Sequence, residues 1–273
     1  MVTTRRTAFI AVVTLFAASS FARAQVLYSE GFETYTSGNV LPPQGGWIDF
    51  GGSQTIIVSS TQAHTGLNSM RLSEGTDTQG GTTTGYGSDI YRNFVGAPIS
   101  SGIVNLRFFQ FVQTGVDSVS HMYFSTKAMD GSAAGFQAGL WLLSSSGTGG
   151  AVVPGTSLIA TRGATDTPLA APVAQVFGAW AEHNLTVNLG TNTFSYSYNG
   201  APVITSAVWD TVPADGISFG GINFWMQNGN ANAVNNFVFF DDFTLTQVPE
   251  PSSIALTGIG LAGAAWWRRR RRR

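Results

Sequence analysis

The stretch from Leu185 to Ile204 leaves this chain the least freedom. Leu185, Val187 and Leu189 alternate with Thr186 and Asn188. After Gly190-Thr191-Asn192, Phe194, Tyr196 and Tyr198 alternate with Ser195 and Ser197. Asn199-Gly200 then leads into Pro202-Val203-Ile204. A period of two places one set of side chains on one face of an extended strand and the other set on the opposite face. Asn-Gly is the pair that a two-residue hairpin turn requires, because both positions need positive φ. The stretch therefore predicts a β-meander with Phe194, Tyr196 and Tyr198 on one face and Ser195 and Ser197 on the other.

The same reading extends along the chain. Residues 104–112, 122–125, 136–143, 217–226 and 237–246 read as further strands, and 75–87 and 144–150 as loops. Gly, Ser, Thr, Asn and aromatic residues dominate, while Lys and Glu are scarce, which is strand-and-turn chemistry. No long stretch of period 3.6 is present. Many short strands punctuated by turns predict an all-β sandwich.

Both ends carry targeting features. Arg5 and Arg6 precede an apolar run over 8–20, and Ala22-Arg23-Ala24 has the small-x-small pattern of a cleavage site, so 1–24 reads as a signal peptide. At the other end come Pro249-Glu250-Pro251, an uncharged apolar run over 254–267, and six arginines at 268–273. The prolines enforce an extended linker. The apolar run suits lipid, Trp266 and Trp267 suit an interface, and the arginines hold the end on the cytoplasmic side. Fourteen helical residues span roughly 21 Å against a hydrocarbon core of roughly 30 Å, so the anchor is short. The expected organisation is a signal peptide (1–24), one sandwich domain (25–247) and a C-terminal segment (248–273) with a transmembrane helix.

Between these segments the body has five Lys and Arg against fourteen Asp and Glu, a formal charge of −9. An acidic body argues against nucleic acid as a partner. There is no cysteine, so thiol catalysis, cysteine metal sites and disulfides are excluded.

The C-terminal triad of Pro249-Glu250-Pro251, hydrophobic helix and basic cluster resembles the PEP-CTERM sorting signal of exported bacterial proteins. The resemblance implies recognition by a membrane enzyme, exosortase, cleavage near the Pro-Glu-Pro motif, and association with exopolysaccharide and extracellular matrix. The body also resembles a family. Ser29-Glu30-Gly31-Phe32-Glu33, Gly45-Gly46-Trp47, the run Ala63-His64-Thr65-Gly66-Leu67-Asn68-Ser69-Met70-Arg71-Leu72, the Tyr198-Asn199-Gly200 hairpin and the closing Phe240-Asp241-Asp242-Phe243-Thr244-Leu245 are similar to the concanavalin A-like, laminin-G-like jelly rolls. Galactose-binding-like jelly rolls share the first and last strands. With the targeting features at both ends, the expectation is an exported, non-catalytic protein of the cell surface or matrix that associates with glycans. A matrix module without ligand and a glycoside hydrolase are the alternatives.

Site candidates are few. The resemblance implies neighbouring first and last strands, which would bring Glu30 or Glu33 near Asp241 or Asp242 as oxygen ligands for calcium. Glucanases of this family carry a Glu-x-Asp-x-(x)-Glu run on one strand, and this chain has none; Glu30 and Glu33 are oddly spaced, so on a strand they would face opposite ways. Gly216-Ile217-Ser218-Phe219-Gly220 fits G-x-S-x-G, but an apolar strand follows it and all three histidines precede it, so strand alternation is the better reading. Gly258-Ile259-Gly260-Leu261-Ala262-Gly263 lies in the anchor and is no dinucleotide site. Of the body's tryptophans, Trp141 and Trp225 read as core, and Trp47, beside two glycines and Asp49, as the exposed ring that could stack on a sugar.

Overall fold

The computed structural model describes residues 23–49, 56–73, 86–94, 98–114, 119–127, 139–145, 157–162, 167–212, 216–227, 237–248 and 270. The chain divides into one compact unit, Gln25–Gln247, and a second made of Met1–Ala24 and Val248–Arg273. The first unit holds two sheets.

The first sheet runs in the order β14 (Ala201–Val208), β13 (Thr193–Tyr198), β12 (Trp180–Asn188), β6 (Ile103–Val112), β16 (Phe237–Val248), β4 (Ser69–Ser73) and β3 (Ile57–Ser59), with β1 (Gln25–Glu30) also paired to β16. The second runs β10 (Thr167–Pro168), β9 (Ser157–Arg162), β8 (Gly139–Ser145), β7 (Val119–Ser125), β15 (Gly221–Gln227), β5 (Tyr86–Asn93) and β2 (Ile48–Asp49), with β11 (Val173–Ala174) on β9. The registered pairs are antiparallel. This is an all-β sandwich.

Alternation explains the core. Val104, Leu106 and Phe108 of β6, Leu185 and Val187 of β12, and Phe194, Tyr196 and Tyr198 of β13 point inward. They meet Ile90, Met122, Phe124, Leu140, Leu142, Ile222 and Phe224 of the second sheet. Aromatic rings bridge the layers: Phe224 lies 4.4 Å from Phe240 and 5.9 Å from Phe108, edge-on to the latter. Such offset and edge contacts add to the area buried.

The predicted meander is present. Phe194, Tyr196 and Tyr198 are all buried, and Ser195 and Ser197 lie on the other face. Asn199 and Gly200 have φ of 48° and 78°, the conformation the hairpin reading requires. Two loop predictions are shortened: Tyr86 and Gly87 open β5 and Ser144 and Ser145 close β8, while the remainder of 75–87 and 144–150 falls outside the described residues.

Strand β16 changes partner part-way. Phe237–Phe240 pair with β4, and Phe243–Gln247 pair with β1. Val238, Phe240, Phe243 and Leu245 all reach the core, so the alternation slips by one residue at Asp241-Asp242. Asp242 sits at φ 50°. A bulge of this kind inserts one residue and re-aims the strand, and Asp is among the few residues that tolerate the left-handed region.

One polar network is sealed inside. His183 is fully buried and stacks on Phe108 at 4.7 Å. Its Nε2 lies 3.0 Å from Gln110 Oε1 and its Nδ1 2.9 Å from the Tyr196 hydroxyl. The amide oxygen can only accept, so Nε2 carries the proton and Nδ1 accepts from Tyr196. Burial lowers the His183 pKa to about 3, leaving a neutral ring with both nitrogens satisfied.

Among the described residues no helix is long and apolar enough to cross a membrane. The signal segment over 1–22, Pro249-Glu250-Pro251 and the anchor over 254–267 lie outside those residues.

Candidate functional site

Four acidic residues gather where β16 changes partner, as the pairing of first and last strands implies. Glu30 Oε1 accepts from the Phe32 amide at 2.8 Å and its Oε2 from the Tyr35 hydroxyl at 2.7 Å. Phe32, at φ 62°, ends the extended run after Glu30, so strand alternation does not govern Glu33. Glu33 Oε1 instead accepts from the amides of Leu67 and Asn68 at 2.9 and 2.8 Å. Asp241 Oδ2 accepts from the His64 amide at 2.8 Å, and Oδ1 from the Asp242 amide at 2.7 Å. Asp242 Oδ1 takes the Thr65 hydroxyl at 2.7 Å, and its Oδ2 faces His64 Nδ1 at 2.6 Å. Glu33, Asp241 and Asp242 thus clasp the segment 64–68 onto the sheet. A calcium ion needs several of these oxygens turned to one point. Here they turn to separate donors, and among the described residues no group of three or more acidic or histidine side chains is arranged to hold a metal ion. Each of the four expected calcium ligands is thus engaged by protein donors.

Trp47 departs from expectation. It is fully buried, packed 5.8 Å from Phe243 and 6.2 Å from Phe224, and has no free face to offer a sugar. The glycines before it, both at positive φ, turn the chain so that the ring enters the core. Ser218 is equally unavailable: it donates to the Thr126 carbonyl in an extended segment.

The accessible aromatic surface lies on the outer face of the first sheet. Across β6 and β12 the outward residues pair as Phe111 with Trp180, Phe109 with Glu182, Arg107 with Asn184 and Asn105 with Thr186. Phe109, Phe111 and Trp180 are half-buried. His64 stacks on Phe109 at 3.6 Å and meets Trp180 edge-on at 5.6 Å. Phe111 lies 5.6 Å from Trp180. Further along, Asn105 Nδ2 donates to Asn184 Oδ1 at 2.6 Å and to Thr186 Oγ1 at 2.9 Å. Beside them an open groove of about 310 Å³ is lined by Asn184, Thr186, Ser195, Ser197 and Pro202, among others. Flat rings beside amides and hydroxyls match the two faces of a sugar, its C–H plane and its hydroxyl rim. Alternation announced these outward positions, but which face would stay open depended on the sheet order.

The outer face of the second sheet carries a different set. Tyr91, Asn223 and Tyr123 pair across β5, β15 and β7, and Trp225 pairs with Asp89. Trp225 is buried as expected, yet it and these tyrosines stand on the face opposite the sandwich core. Asn223 Nδ2 donates to Asp89 Oδ1 at 2.6 Å. Burial pushes Asp89 up to about 6, opposed by that amide and assisted by Asp49.

Comparisons with known proteins agree with this architecture. The last residues decide one point: 247–271 match the model of the PEP-CTERM protein-sorting motif. The chain carries a PEP-CTERM sorting motif. No curated protein sequence matches the chain. Among solved structures, the Emp46p carbohydrate recognition domain is similar at 13% identity and a TM-score of 0.51, over 82% of this chain and 97% of that one. The catalytic domain of the glycoside hydrolase family 131 protein from Coprinopsis cinerea is similar at 12% identity and a TM-score of 0.53, over 84% and 99%. A GH131 β-glucanase catalytic domain from Podospora anserina gives 14%, 0.51, 81% and 95%. At these identities the likeness concerns the fold.

Proposed function

We propose that this is an exported bacterial protein of the cell surface or extracellular matrix that binds glycan without cleaving it. The carrying observation is the open aromatic-and-amide face of the first sheet, from Trp180, Phe111 and Phe109 to Asn105, Asn184 and Thr186. The PEP-CTERM motif supports export and handling by an exosortase-type enzyme, with a signal peptide at 1–24 and an anchor at 254–267. The two-sheet sandwich supports a concanavalin A-like jelly roll as the scaffold. A glycan array followed by titration tests the reading. Trp180→Ala should weaken retention about tenfold, a loss of about 1.4 kcal/mol. A wild-type protein that retains no glycan would leave a purely structural matrix module.

A hydrolase is the second reading, favoured by Asp89. A carboxyl raised to about 6 beside a second acid, Asp49, is the makings of a general acid and its partner. Release of reducing ends by the wild type, abolished in Asp89→Asn, would establish it and displace the non-catalytic reading.

A further inference from the structure

Arg92 lies on the inward side of β5, in sequence with Ile90 and Phe94, where an apolar residue would be expected. Its guanidinium carbon stands 4.3 Å over the Tyr28 ring and 5.8 Å from that of Trp47. Its Nε and Nη1 are buried and have no hydrogen-bond partner. The same holds for the Tyr28 hydroxyl and for Trp47 Nε1. Burial raises the Tyr28 phenol far above its usual range, opposed by Arg92, assisted by Glu30 and Tyr35, and opposed slightly by the Trp47 indole.

Four orphaned groups around one guanidinium are unusual, since buried polar groups nearly always find partners. All four can donate and three can only donate, so the missing partner is an acceptor. Arg92 is a permanent cation, and among the described residues no carboxylate lies within salt-bridge distance of it. Glu30, the nearby acid, has both oxygens engaged elsewhere. Arg92 as a whole is half-buried, so part of its side chain reaches solvent while Nε and Nη1 stay covered. Gly46 lies directly against the guanidinium: a Cβ there would come to 3.0 Å from Nη1 and 3.7 Å from Nη2, closer than side chains normally pack, so glycine lets the backbone approach the cation.

We infer that Arg92, Tyr28 and Trp47 form a binding site for one carboxylate group, supplied by a small free acid or by an acidic sugar unit. The site is separate from the aromatic face of the first sheet and does not depend on the glycan reading. A carboxylate matches the guanidinium in charge and planarity, and it accepts from the hydroxyl and indole beside it.

Titration of the full chain in mild detergent with acetate, glucuronate, oligogalacturonate and neutral glucose, at constant ionic strength, tests the site. Acetate and glucuronate should raise the melting midpoint saturably, while glucose should not. Arg92→Gln should weaken binding at least about tenfold. Tyr28→Phe should weaken binding a few-fold while raising the ligand-free midpoint, because an orphaned hydroxyl is removed. A structural role for Tyr28 predicts no such opposed pair of effects. Equal binding of free acid and oligomer points to a free acid, and preference for the oligomer points to a sugar acid. An unsaturable shift, a shift unchanged in both variants, or one matched by glucose overturns the inference and leaves ordered water as the partner.

Discussion

His183, Tyr196 and Asp89 show how single buried groups set the response to pH. His183 has a folded pKa of about 3, below the 6.5 of a free imidazole. Its contribution is fully present above pH 6.5 and declines as pH falls toward 3, because the unfolded chain binds the proton first. Asp89 works the other way. Its folded pKa of about 6 lies above 3.8, so its contribution is present below pH 3.8 and is lost as pH rises through 6. Asp89→Asn removes that loss and still accepts from Asn223. Relative to wild type it should gain roughly 2 kcal/mol between pH 4 and pH 7, read from urea unfolding at the two pH values. Tyr196→Phe strips Nδ1 of His183 of its donor and should cost about 1–2 kcal/mol by the same measurement. A Tyr196→Phe protein as stable as wild type would show that the network is dispensable.

At the scale of elements, turns and bulges decide which face a residue meets. Gly200→Ala places a side chain at φ 78° and should lower stability by about 1 kcal/mol, whereas Asn199→Gly should be nearly neutral. Asp242→Asn keeps a residue suited to φ 50° and a group for Thr65. Asp242→Val keeps neither and should be the worse of the two by more than about 1 kcal/mol in chemical denaturation. These same features mark how far the sequence could be read. Strands β12 and β13 were legible because one of their faces is apolar, the other polar, and Asn-Gly joins β13 to β14. Strand β5 was not, because Asp89, Tyr91, Arg92 and Asn93 obscure its period: one face meets the buried polar layer around Asn223, and the other carries Arg92 into the core. Trp47 misled because paired glycines usually mark an exposed turn, while here they fold the ring inward. Glu30 and Glu33 were placed on opposite strand faces, but the strand ends between them. The open aromatic face depends on which strands become neighbours, and no local pattern encodes that.

For the whole molecule, two outcomes follow from charge and topology. The carboxylates around Asp241 and Asp242 already accept from amides, hydroxyls and His64, so thermal midpoints in calcium and in chelator should coincide. A rise in calcium that vanishes in Asp242→Ala would restore an ion to that end of the sandwich. On the proposed export route, mass spectrometry of the mature protein should find the residues after about Pro251 removed, and an intact Arg273 would rule out processing.

The body's last strand is not an edge. β16 neighbours β6 on one side, and on the other it pairs with β4 over Phe237–Phe240 and with β1 over Phe243–Gln247. A protein held by its C-terminal tail would receive a mechanical pull there. The load would run along a strand bonded on both sides, so ladders would have to slide together in shear; a strand on the rim could be peeled away one bond at a time. Because Gln25 pairs with Gln247, the chain's opening strand lies against the strand that takes the pull. Cohesion under tension is thus built into the order of the strands, as the surface-held protein proposed above would need.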